Sequence, residues 1–444
     1  MAIEQIRLFN FKCFEDSGQI PLAPLTVIFG RNNTGKSSVL QSILLLRQTL
    51  DSPEYGPRLD LRGPLYQAGS YADIVHQHKA SQKIRMDFRI SLPGGAPAKI
   101  ELEFSADEPQ PARLVRLKVN GGAADVLEVR RGRGYGGPYE LVIDHKPQGS
   151  EAEALFRFPQ SGFFPIIGPE PLRPGRPSKK HEDARGFARD TLRNFEVTLR
   201  ATRAVGAFRQ QPNRRYEYQG RVSESIDAVG RSVVDALIED SLRRGKKRAE
   251  LVRSVNKWLK VVGRVRILPF RRLSRTARIF EVRLRDTDSG RWANFADVGF
   301  GIGQAFPVFV EGLRTPEGGT FLVQEPEIHL HPDAQLGMAD FLVSLAKSGR
   351  RVIAETHSEN LLLRIRRLVT GKAPALSHKD VSILCVTKHR DGASRVLPLE
   401  IDEMAQIKDW PKGFMEEATD ERMAILEEMA GLEEVAAERD ELAG

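Results

Sequence analysis

The sequence predicts an α/β fold, in which a mixed sheet with flanking helices is interrupted by an inserted antiparallel β lobe and a helical lobe, and is followed by a short acidic tail. Three observations predict it. Short apolar runs near both ends of the chain stop at polar or glycine-rich residues and give way to helical spacing, as strands of a parallel sheet do. Residues 84–144 alternate apolar and polar side chains. Residues 184–199 and 226–262 have helical spacing.

The first apolar run, residues 25–29, leads into GRNNTGKSS at residues 30–38. This segment matches the phosphate-loop pattern G-x-x-x-x-G-K-[ST], and helical spacing follows it. The backbone N–H groups of such a loop and the positive end of the helix bind phosphate. We therefore predict ATP or GTP binding, with Lys36 on the β- and γ-phosphates and Ser37 on magnesium. The predicted nucleotide-binding residues of this loop are Gly30, Asn33, Thr34, Gly35, Lys36, Ser37 and Ser38.

A second glycine-rich turn, DVGFGIGQ at residues 297–304, opens the apolar stretch 305–313. It would present free N–H groups at a helix start, so Gly301, Gly303 and Gln304 are predicted to contact nucleotide. Because the first phosphate loop is far away in the sequence, the pattern favours two half-sites that meet only when two chains dimerise. The alternative is a loop that caps a core helix.

The third block, FLVQEPEIHLHP at residues 321–332, continues an apolar strand at 320–323 that ends in candidate catalytic groups. At the end of such a strand, an acidic residue usually fixes the water shell of magnesium. Here Gln324 occupies that position, and Glu325 follows it. Glu325 is predicted to be the general base for the attacking water. Gln324 is predicted to face the metal but supplies no negative charge, so turnover is expected to be slow unless Glu327 contributes.

A fourth block, AETHS at residues 354–358, places polar groups after another apolar strand. His357 is predicted to reach the γ-phosphate and orient the attacking water. The alternative is that His357 is structural, as histidines at strand ends often are.

Together these blocks and the opening IEQIRLFNFKCFED resemble the RecF, SMC and OLD-like branch of ABC-type ATPases. DVGFGIGQAFPVFV, PEIHLHPDAQ, ETHSENLLLRIRRL and WPKGFMEE (410–417) look more narrowly like bacterial predicted AAA-family ATPases with a short C-terminal WP-x-GF domain. The segment GAFRQQPNRRYEYQGR (206–221) is similar to the central part of that family. The resemblance covers residues 1–75 and 200–420.

The resemblance implies an ABC-type P-loop head that dimerises around ATP and magnesium. Each site would combine Lys36, Ser37, Glu325 and His357 of one chain with residues 301–304 of the other. Two departures predict weak turnover. Gly303 stands where a serine is usual, and Gln324-Glu325 reverses the family's Glu-Gln order. The resemblance also implies a glutamine near the metal, and Gln67 and Gln77 are the candidates.

The implied role is that of a DNA-associated switch or sensor, with a link to antiphage defence alongside an effector protein. The alternative is a nucleotide-locked scaffold that holds a partner protein with little turnover. OLD-like relatives carry a nuclease domain after the ATPase. Because no D-x-D pair follows Ser358, no nuclease activity of this chain is expected.

Charge is divided unevenly along the chain. Residues 173–285 contain 30 Lys or Arg against 12 Asp or Glu, whereas residues 400–444 contain 4 against 15. The basic region is a candidate DNA or RNA surface whose affinity would fall with salt. The alternatives are a solvated surface or a docking site for the acidic tail. The candidate contacts are Arg243, Arg244, Lys246, Lys247, Arg248, Arg271 and Arg272.

No run of 18 apolar residues occurs, so no membrane partner is expected. Cys13 and Cys385 lie in apolar segments and are predicted to be buried thiols in a cytoplasmic protein. The predicted units are 1–80 (head with phosphate loop), 81–145 (antiparallel β lobe), 146–290 (basic, largely helical insertion), 291–400 (second part of the head) and 401–444 (acidic tail).

Overall fold

Two large sheets organise the protein. The computed structural model describes residues 2–52, 56–94, 97–106, 111–121, 124–132, 139–143, 146–147, 156–158, 164–167, 179–220, 228–245, 248–274, 276–370, 374–389, 391–411, 421–426 and 428–429.

The larger sheet has nine antiparallel strands in the order β10-β9-β8-β7-β6-β5-β1-β2, with β3 also paired to β1. Its strands are β1 (Ala2–Phe11), β2 (Phe14–Asp16), β3 (Ile20–Pro21), β5 (Ile84–Ser91), β6 (Pro97–Ser105), β7 (Arg113–Gly121), β8 (Ala124–Arg131), β9 (Tyr139–Ile143) and β10 (Lys146–Pro147). The antiparallel strands predicted over 84–144 are present as β5 to β9. The sheet also includes β1–β3, so it crosses the predicted boundary at residue 80, because the first strand pairs with β5.

The second sheet has six strands in the order β13-β20-β21-β4-β22-β23. All neighbours are parallel except β22 and β23. Every residue of the fourth strand is buried, as expected for a strand covered on both faces. The strands are β4 (Leu25–Gly30), β13 (Thr202–Val205), β20 (Thr320–Gln324), β21 (Arg351–Glu355), β22 (Val381–Lys388) and β23 (Ser394–Leu399).

Eight helices flank these sheets in the described part of the chain. They are α1 (Lys36–Asp51), α2 (Tyr71–Ile74), α3 (Lys179–Arg200), α4 (Val233–Leu242), α5 (Glu250–Gly263), α6 (Phe300–Arg314), α7 (Pro332–Lys347) and α8 (Glu359–Val369). Short 3₁₀ helices cover His76–His78, Phe295–Asp297 and His378–Asp380. None of the described helices has the length and apolarity that a membrane crossing requires.

Small antiparallel sheets complete the structure. They consist of β11 (Phe156–Arg157) with β12 (Ile166–Ile167), then β14 (Tyr216–Glu217), β17 (Ile279–Glu281) and β16 (Arg271–Arg272), and finally β15 (Val265–Ile267), β18 (Arg283–Asp286) and β19 (Trp292–Asn294). The predicted basic insertion is therefore part helix and part sheet, and β13 within it joins the parallel sheet of the head.

Two hydrophobic cores lie on opposite faces of the parallel sheet. On one face, α1 and α3 pack with the antiparallel sheet, where the rings of Phe88 and Phe195 are 5.0 Å apart. On the other face, α4–α8 pack together, and Phe341 contacts the ring of Trp258 at 5.2 Å. The parallel sheet is thus covered on both faces. The carboxyl ends of its neighbouring strands β4, β21 and β20 meet at one edge.

The two cysteines differ in burial. Cys385 is buried in β22, as predicted, whereas Cys13 is only partly buried. Cys13 lies in the turn after β1 rather than within a strand, and this turn packs against the start of α1.

Candidate nucleotide-binding site

The phosphate loop joins β4 to α1, and its shape depends on glycine. Gly35 has a φ of 95°, and a Cβ at this position would lie 2.0 Å from the Sγ of Cys13. Only glycine tolerates both the left-handed backbone and this close approach. Asn33 is also left-handed, with a φ of 64°, a conformation in which asparagine is enriched. The loop is therefore held in a tight turn at the start of α1.

Lys36 is the first residue of α1, and its ammonium group folds back over the loop. Its Nζ donates to the carbonyl oxygens of Gly30 at 3.0 Å and Arg31 at 2.9 Å. Burial lowers the pKa of Lys36, while the carboxylates of Glu355 and Glu325 oppose that shift. The ammonium group is thus held beside the positive end of a helix, where both charges favour phosphate.

Two further predicted residues of the loop have buried side chains. The Thr34 hydroxyl donates to the carbonyl oxygen of Arg31 at 2.9 Å. The Ser38 hydroxyl accepts from the Sγ of Cys13 at 3.7 Å. These side chains stabilise the turn from within.

The ends of β4, β21 and β20 bring three predicted segments together around one carboxylate. Ser37, which follows β4, donates its hydroxyl to Oε1 of Glu355 at 2.6 Å. Gln324, at the end of β20, donates Nε2 to Oε2 of the same carboxylate at 2.8 Å. Glu355 is the last residue of β21 and is only 4% exposed. Both of its oxygens are therefore engaged by groups that the sequence predicted to face magnesium.

Glu325 follows β20 in a left-handed conformation, with a φ of 44°. Such a backbone costs free energy in a non-glycine residue and persists where its surroundings hold it. Here the N–H of Glu325 donates to the carbonyl oxygen of Glu355 at 2.7 Å. Its own carbonyl oxygen accepts from Nη2 of Arg209 at 2.8 Å. The backbone of Glu325 is thus held on both sides, which fixes the direction in which its side chain leaves the main chain.

Glu327 holds the segment that carries His357. Its Oε1 accepts from the Thr356 hydroxyl at 2.6 Å and from the N–H groups of His357 and Ser358 at 2.9 and 3.1 Å. Burial raises the pKa of Glu327. This carboxylate therefore orders the segment after β21, a structural task that differs from the metal role considered for it above.

His357 is close enough to the phosphate loop for its charge to be affected. Its side chain is accessible at the surface, but partial burial lowers its pKa, and the Lys36 ammonium lowers it further. Glu325 and Glu355 oppose this shift. The charges of Lys36, Glu325 and Glu355 therefore all act on the imidazole of His357, and burial together with Lys36 disfavours its protonated form.

The second glycine-rich turn forms the first turn of α6, and its parts differ in exposure. A Cβ on Gly301 would lie 2.4 Å from the carbonyl oxygen of His329, and one on Gly303 would lie 2.9 Å from Cγ of Pro212. Gly303 and Gln304 are both buried. The structure thus places two of the three predicted nucleotide contacts beneath the surface, because Pro212 covers Gly303 and the Gln304 side chain points into the core.

Arg209 was missed as a site residue by the sequence reasoning. It is 7% exposed, and its guanidinium donates to four carbonyl oxygens, those of Gly206, Gln304, Gln324 and Glu325, at 2.9, 3.0, 2.5 and 2.8 Å. Burial lowers its pKa to about 10, so it remains charged near neutrality. Arg209 ties α6 to the end of β20. The only signal for it was its position in the family-like segment 206–221.

Glu355 was also missed, although the sequence carried a signal for it, since it is an acid at the end of an apolar strand. Neither of the two glutamine candidates for the metal site has a described contact with the phosphate loop. Gln67 donates to the carbonyl oxygens of Arg62 and Gly63 at 3.3 and 2.8 Å, and the side chain of Gln77 is exposed.

The described nucleic-acid candidates lie on two separate elements. Arg243, Arg244 and Arg248 are exposed in the connection between α4 and α5, and Arg271 and Arg272 form β16. Lys246 and Lys247 lie outside the described residues. Acidic groups offset part of this charge, since Glu239 lies 3.4 Å from Arg243 and Glu281 lies 3.7 Å from Arg271.

The start of the predicted tail contacts the head. The ring of Trp410 stacks on Phe29 at 5.2 Å with an interplanar angle of 16°. Phe29 directly precedes the first glycine of the phosphate loop. Residues 412–414 of the WPKGF motif and residues 430–444 of the acidic tail lie outside the described residues.

The sequence is similar to one described protein family and to a known nuclease. A family model described as "AAA domain, putative AbiEii toxin, Type IV TA system" matches residues 25–364. The chain is 24% identical over 369 residues to the OLD nuclease of Thermus scotoductus, a match that covers 80% of this chain. The chain spans 59% of the length of that relative.

Solved structures with similar outlines are head domains of SMC proteins. The SMC head domain from Thermotoga maritima is 12% identical, with a TM-score of 0.42, and the match covers 90% of this chain and 100% of that one. An SmcHead bound to the C-winged helix domain of ScpA is also 12% identical, with a TM-score of 0.44, and the match covers 91% of this chain and 99% of that one.

Proposed function

We propose that this chain, which belongs to the AAA-domain family whose model it matches, binds ATP with magnesium and hydrolyses it slowly as a dimer. The observation that carries the proposal is the meeting of Lys36, Ser37, Glu325 and His357 at the edge formed by β4, β21 and β20. Lys36 would neutralise phosphate charge, and Ser37 would be a magnesium ligand. The fixed backbone of Glu325 supports its role as the general base.

Dimerisation is proposed because the described contacts at the start of α6 are with Arg209, Pro212 and His329, none of which belongs to the phosphate loop. In the proposed dimer, each nucleotide contacts the phosphate loop of one chain and the start of α6 of the other, where Gly299 and Phe300 are exposed. The space beside Gly299 is open, so an anion can approach the backbone N–H groups of this helix start. ATP would thus act as part of the interface, and hydrolysis would release it.

Hydrolysis tests this function. Wild-type protein with ATP and magnesium should release phosphate, and Glu325→Gln should reduce the rate by about a hundredfold or more, the usual contribution of a general base. Binding of ATP should be retained in that variant. Glu317→Gln, at an exposed loop position, is the matched control and should keep wild-type turnover. Equal turnover of Glu325→Gln and wild type would contradict the assigned base.

We further propose that the ATP-dependent dimer is a DNA-associated switch that works with an effector protein. The exposed arginines at 243–248 and 271–272 support a contact with phosphate groups. The name OLD nuclease and the family description, which mentions a type IV toxin–antitoxin system, support a role in defence against phage.

The DNA contact is tested by binding of a duplex across a salt series. Affinity should fall steeply as salt rises, and Arg271→Ala/Arg272→Ala should lower the slope of log K against log salt by roughly two. The control, Arg62→Ala/Lys347→Ala, removes the same charge from exposed positions elsewhere. If both double variants change the slope of log K against log salt equally, residues 271 and 272 do not form a specific DNA-binding surface.

A second candidate function is a nucleotide-locked scaffold that holds a partner protein. The amide of Gln324 in place of an acid and the covered position of Gly303 both support low turnover. A scaffold would retain its partner when Glu325 is replaced by glutamine and lose it in Lys36→Ala. Measurable phosphate release that depends on Glu325 favours the enzyme.

A further inference from the structure

At the carboxyl ends of the parallel strands, the buried acid lies on β21 and not on β20, where it was expected. Gln324, at the usual acidic position on β20, is neutral. Glu355, at the end of the neighbouring strand β21, carries a buried carboxylate. The two side chains are hydrogen-bonded at 2.8 Å, so the amide and the acid occupy adjacent places at the same edge. Negative charge is therefore present at this edge although β20 does not supply it.

The contacts of Glu355 point toward the phosphate loop. Its Oε1 lies 2.6 Å from Oγ of Ser37, and its charge acts on Lys36 and His357. A buried carboxylate is costly unless hydrogen bonds or a cation compensate it. The described partners of its carboxylate oxygens are a hydroxyl and an amide, which are neutral. Lys36 is the cation on which this carboxylate acts in the chain itself, and a divalent cation beside Ser37 would add positive charge directly at the carboxylate oxygens.

The oxygen donors of Ser37 and Glu355 are the type that magnesium prefers. Its ligands are hard oxygen atoms at about 2.1 Å in octahedral arrangement, so neighbouring ligands lie roughly 3 Å apart. The hydroxyl oxygen of Ser37 and the nearer carboxylate oxygen of Glu355 are already close to that separation. A shift of a few tenths of an ångström would bring them to it.

We propose that Glu355 supplies the carboxylate for magnesium that Gln324 cannot supply, and that Gln324 acts as a positioning residue by fixing the second oxygen of this carboxylate. This inference rests on the proposed binding of ATP with magnesium. The carboxylate near the metal would then come from the end of β21 instead of the end of β20, and Ser37 would remain a magnesium ligand. Glu325 is left free of the metal for its role as base.

Metal affinity, measured apart from turnover, tests this assignment. Mn²⁺ binding to the ATP complex is followed by electron paramagnetic resonance at a temperature where hydrolysis is negligible. Glu355→Gln preserves shape and removes the charge, so it should weaken Mn²⁺ binding at least tenfold. ATP binding without metal should change less than threefold, since Lys36 is intact. Unchanged Mn²⁺ affinity in Glu355→Gln would overturn the proposal.

A reciprocal exchange keeps the test independent of folding defects. Gln324→Glu/Glu355→Gln retains the amide–carboxylate pair in reversed order and should recover Mn²⁺ affinity to within about threefold of wild type. Glu101→Gln is the matched control, because it neutralises a buried carboxylate in β6 of the other large sheet, and it should leave Mn²⁺ affinity unchanged. Failure of the exchange to recover affinity would also count against the proposal. If wild-type protein binds neither ATP nor Mn²⁺, the proposed function itself fails.

Discussion

The phosphate-loop half of the site and the α6 half are built in opposite ways. At the phosphate loop, polar and charged side chains from three strand ends converge, and Lys36 and Ser37 reach groups at the carboxyl edge of the sheet. At α6, glycines are packed against backbone and proline, and the Gln304 side chain is buried. The first half offers charge to a ligand, whereas the second offers only a short stretch of exposed backbone.

This difference indicates that the two halves have different tasks. In the proposed function, the phosphate-loop half binds ATP within one chain. The α6 half would add contacts only when another chain presents a nucleotide to it. Changes to the first half should therefore affect nucleotide affinity directly, and changes to the second should affect stability and dimerisation.

The largest effect is expected from Lys36→Ala. Charge-assisted hydrogen bonds contribute about 1.5–3 kcal/mol, so loss of this ammonium should weaken ATP binding by about a hundredfold. Binding of a fluorescent ATP analogue measures the change. Lys347→Ala, an exposed lysine at the end of α7, should bind as wild type does. If Lys36→Ala keeps its affinity, the phosphate-loop half is misassigned.

A smaller effect is expected where the two halves are joined. Arg209→Lys keeps the charge but cannot donate to four carbonyl oxygens at once. Leaving buried carbonyl groups unpaired should lower the free energy of unfolding by about 2 kcal/mol, as measured with urea. Turnover should fall while ATP binding remains, since Arg209 holds the backbone of Glu325. A variant with full stability and full turnover would show that this link is unimportant.

The covered position of Gly303 predicts a conditional effect. Gly303→Ser should cost about 1–2 kcal/mol of unfolding free energy, because the added Cβ would meet Pro212 at 2.9 Å. Pro212→Ala in the same chain should recover most of this loss. Urea unfolding of both variants, with Pro212→Ala alone as the control, measures the difference. If the serine is tolerated without the second change, the α6 half is looser than described.

The smallest effect concerns His357. Partial burial and Lys36 disfavour its protonated form, so its pKa should lie below the usual value of about 6.5. As the pH falls through 6.5, the unfolded chain takes up a proton that the folded chain resists, and stability should decrease slightly. Titration by NMR, assigned with His357→Gln, checks the direction, and Lys36→Ala should raise the midpoint. A midpoint at or above that of free histidine would contradict it.

The sequence predicted well those features that short segments determine. The apolar runs became β4, β20 and β21, and the phosphate loop lies between a strand and a helix as its pattern requires. The prediction of an ATPase of the RecF, SMC and OLD-like branch is confirmed by the family match and by the OLD nuclease relative. The narrower prediction of a WP-x-GF tail domain remains a prediction.

Features that depend on distant contacts could not be predicted. Ser37 and Glu355 are 318 positions apart, so no local pattern marks their contact. The burial of Gln304 depends on the packing of α6 in the second core. The role of Arg209 depends on carbonyl groups from two distant segments, the start of α6 and the end of β20. The roles assigned to the site residues, the unit boundaries and the DNA surface likewise remain proposals.

The mass in solution of Glu325→Gln, measured by sedimentation with and without ATP and magnesium, tests the composite site most directly. This variant should bind ATP without consuming it. The account predicts the mass of one chain without nucleotide and of two chains with it. A mass that does not respond to ATP would contradict a site completed by α6 of a second chain.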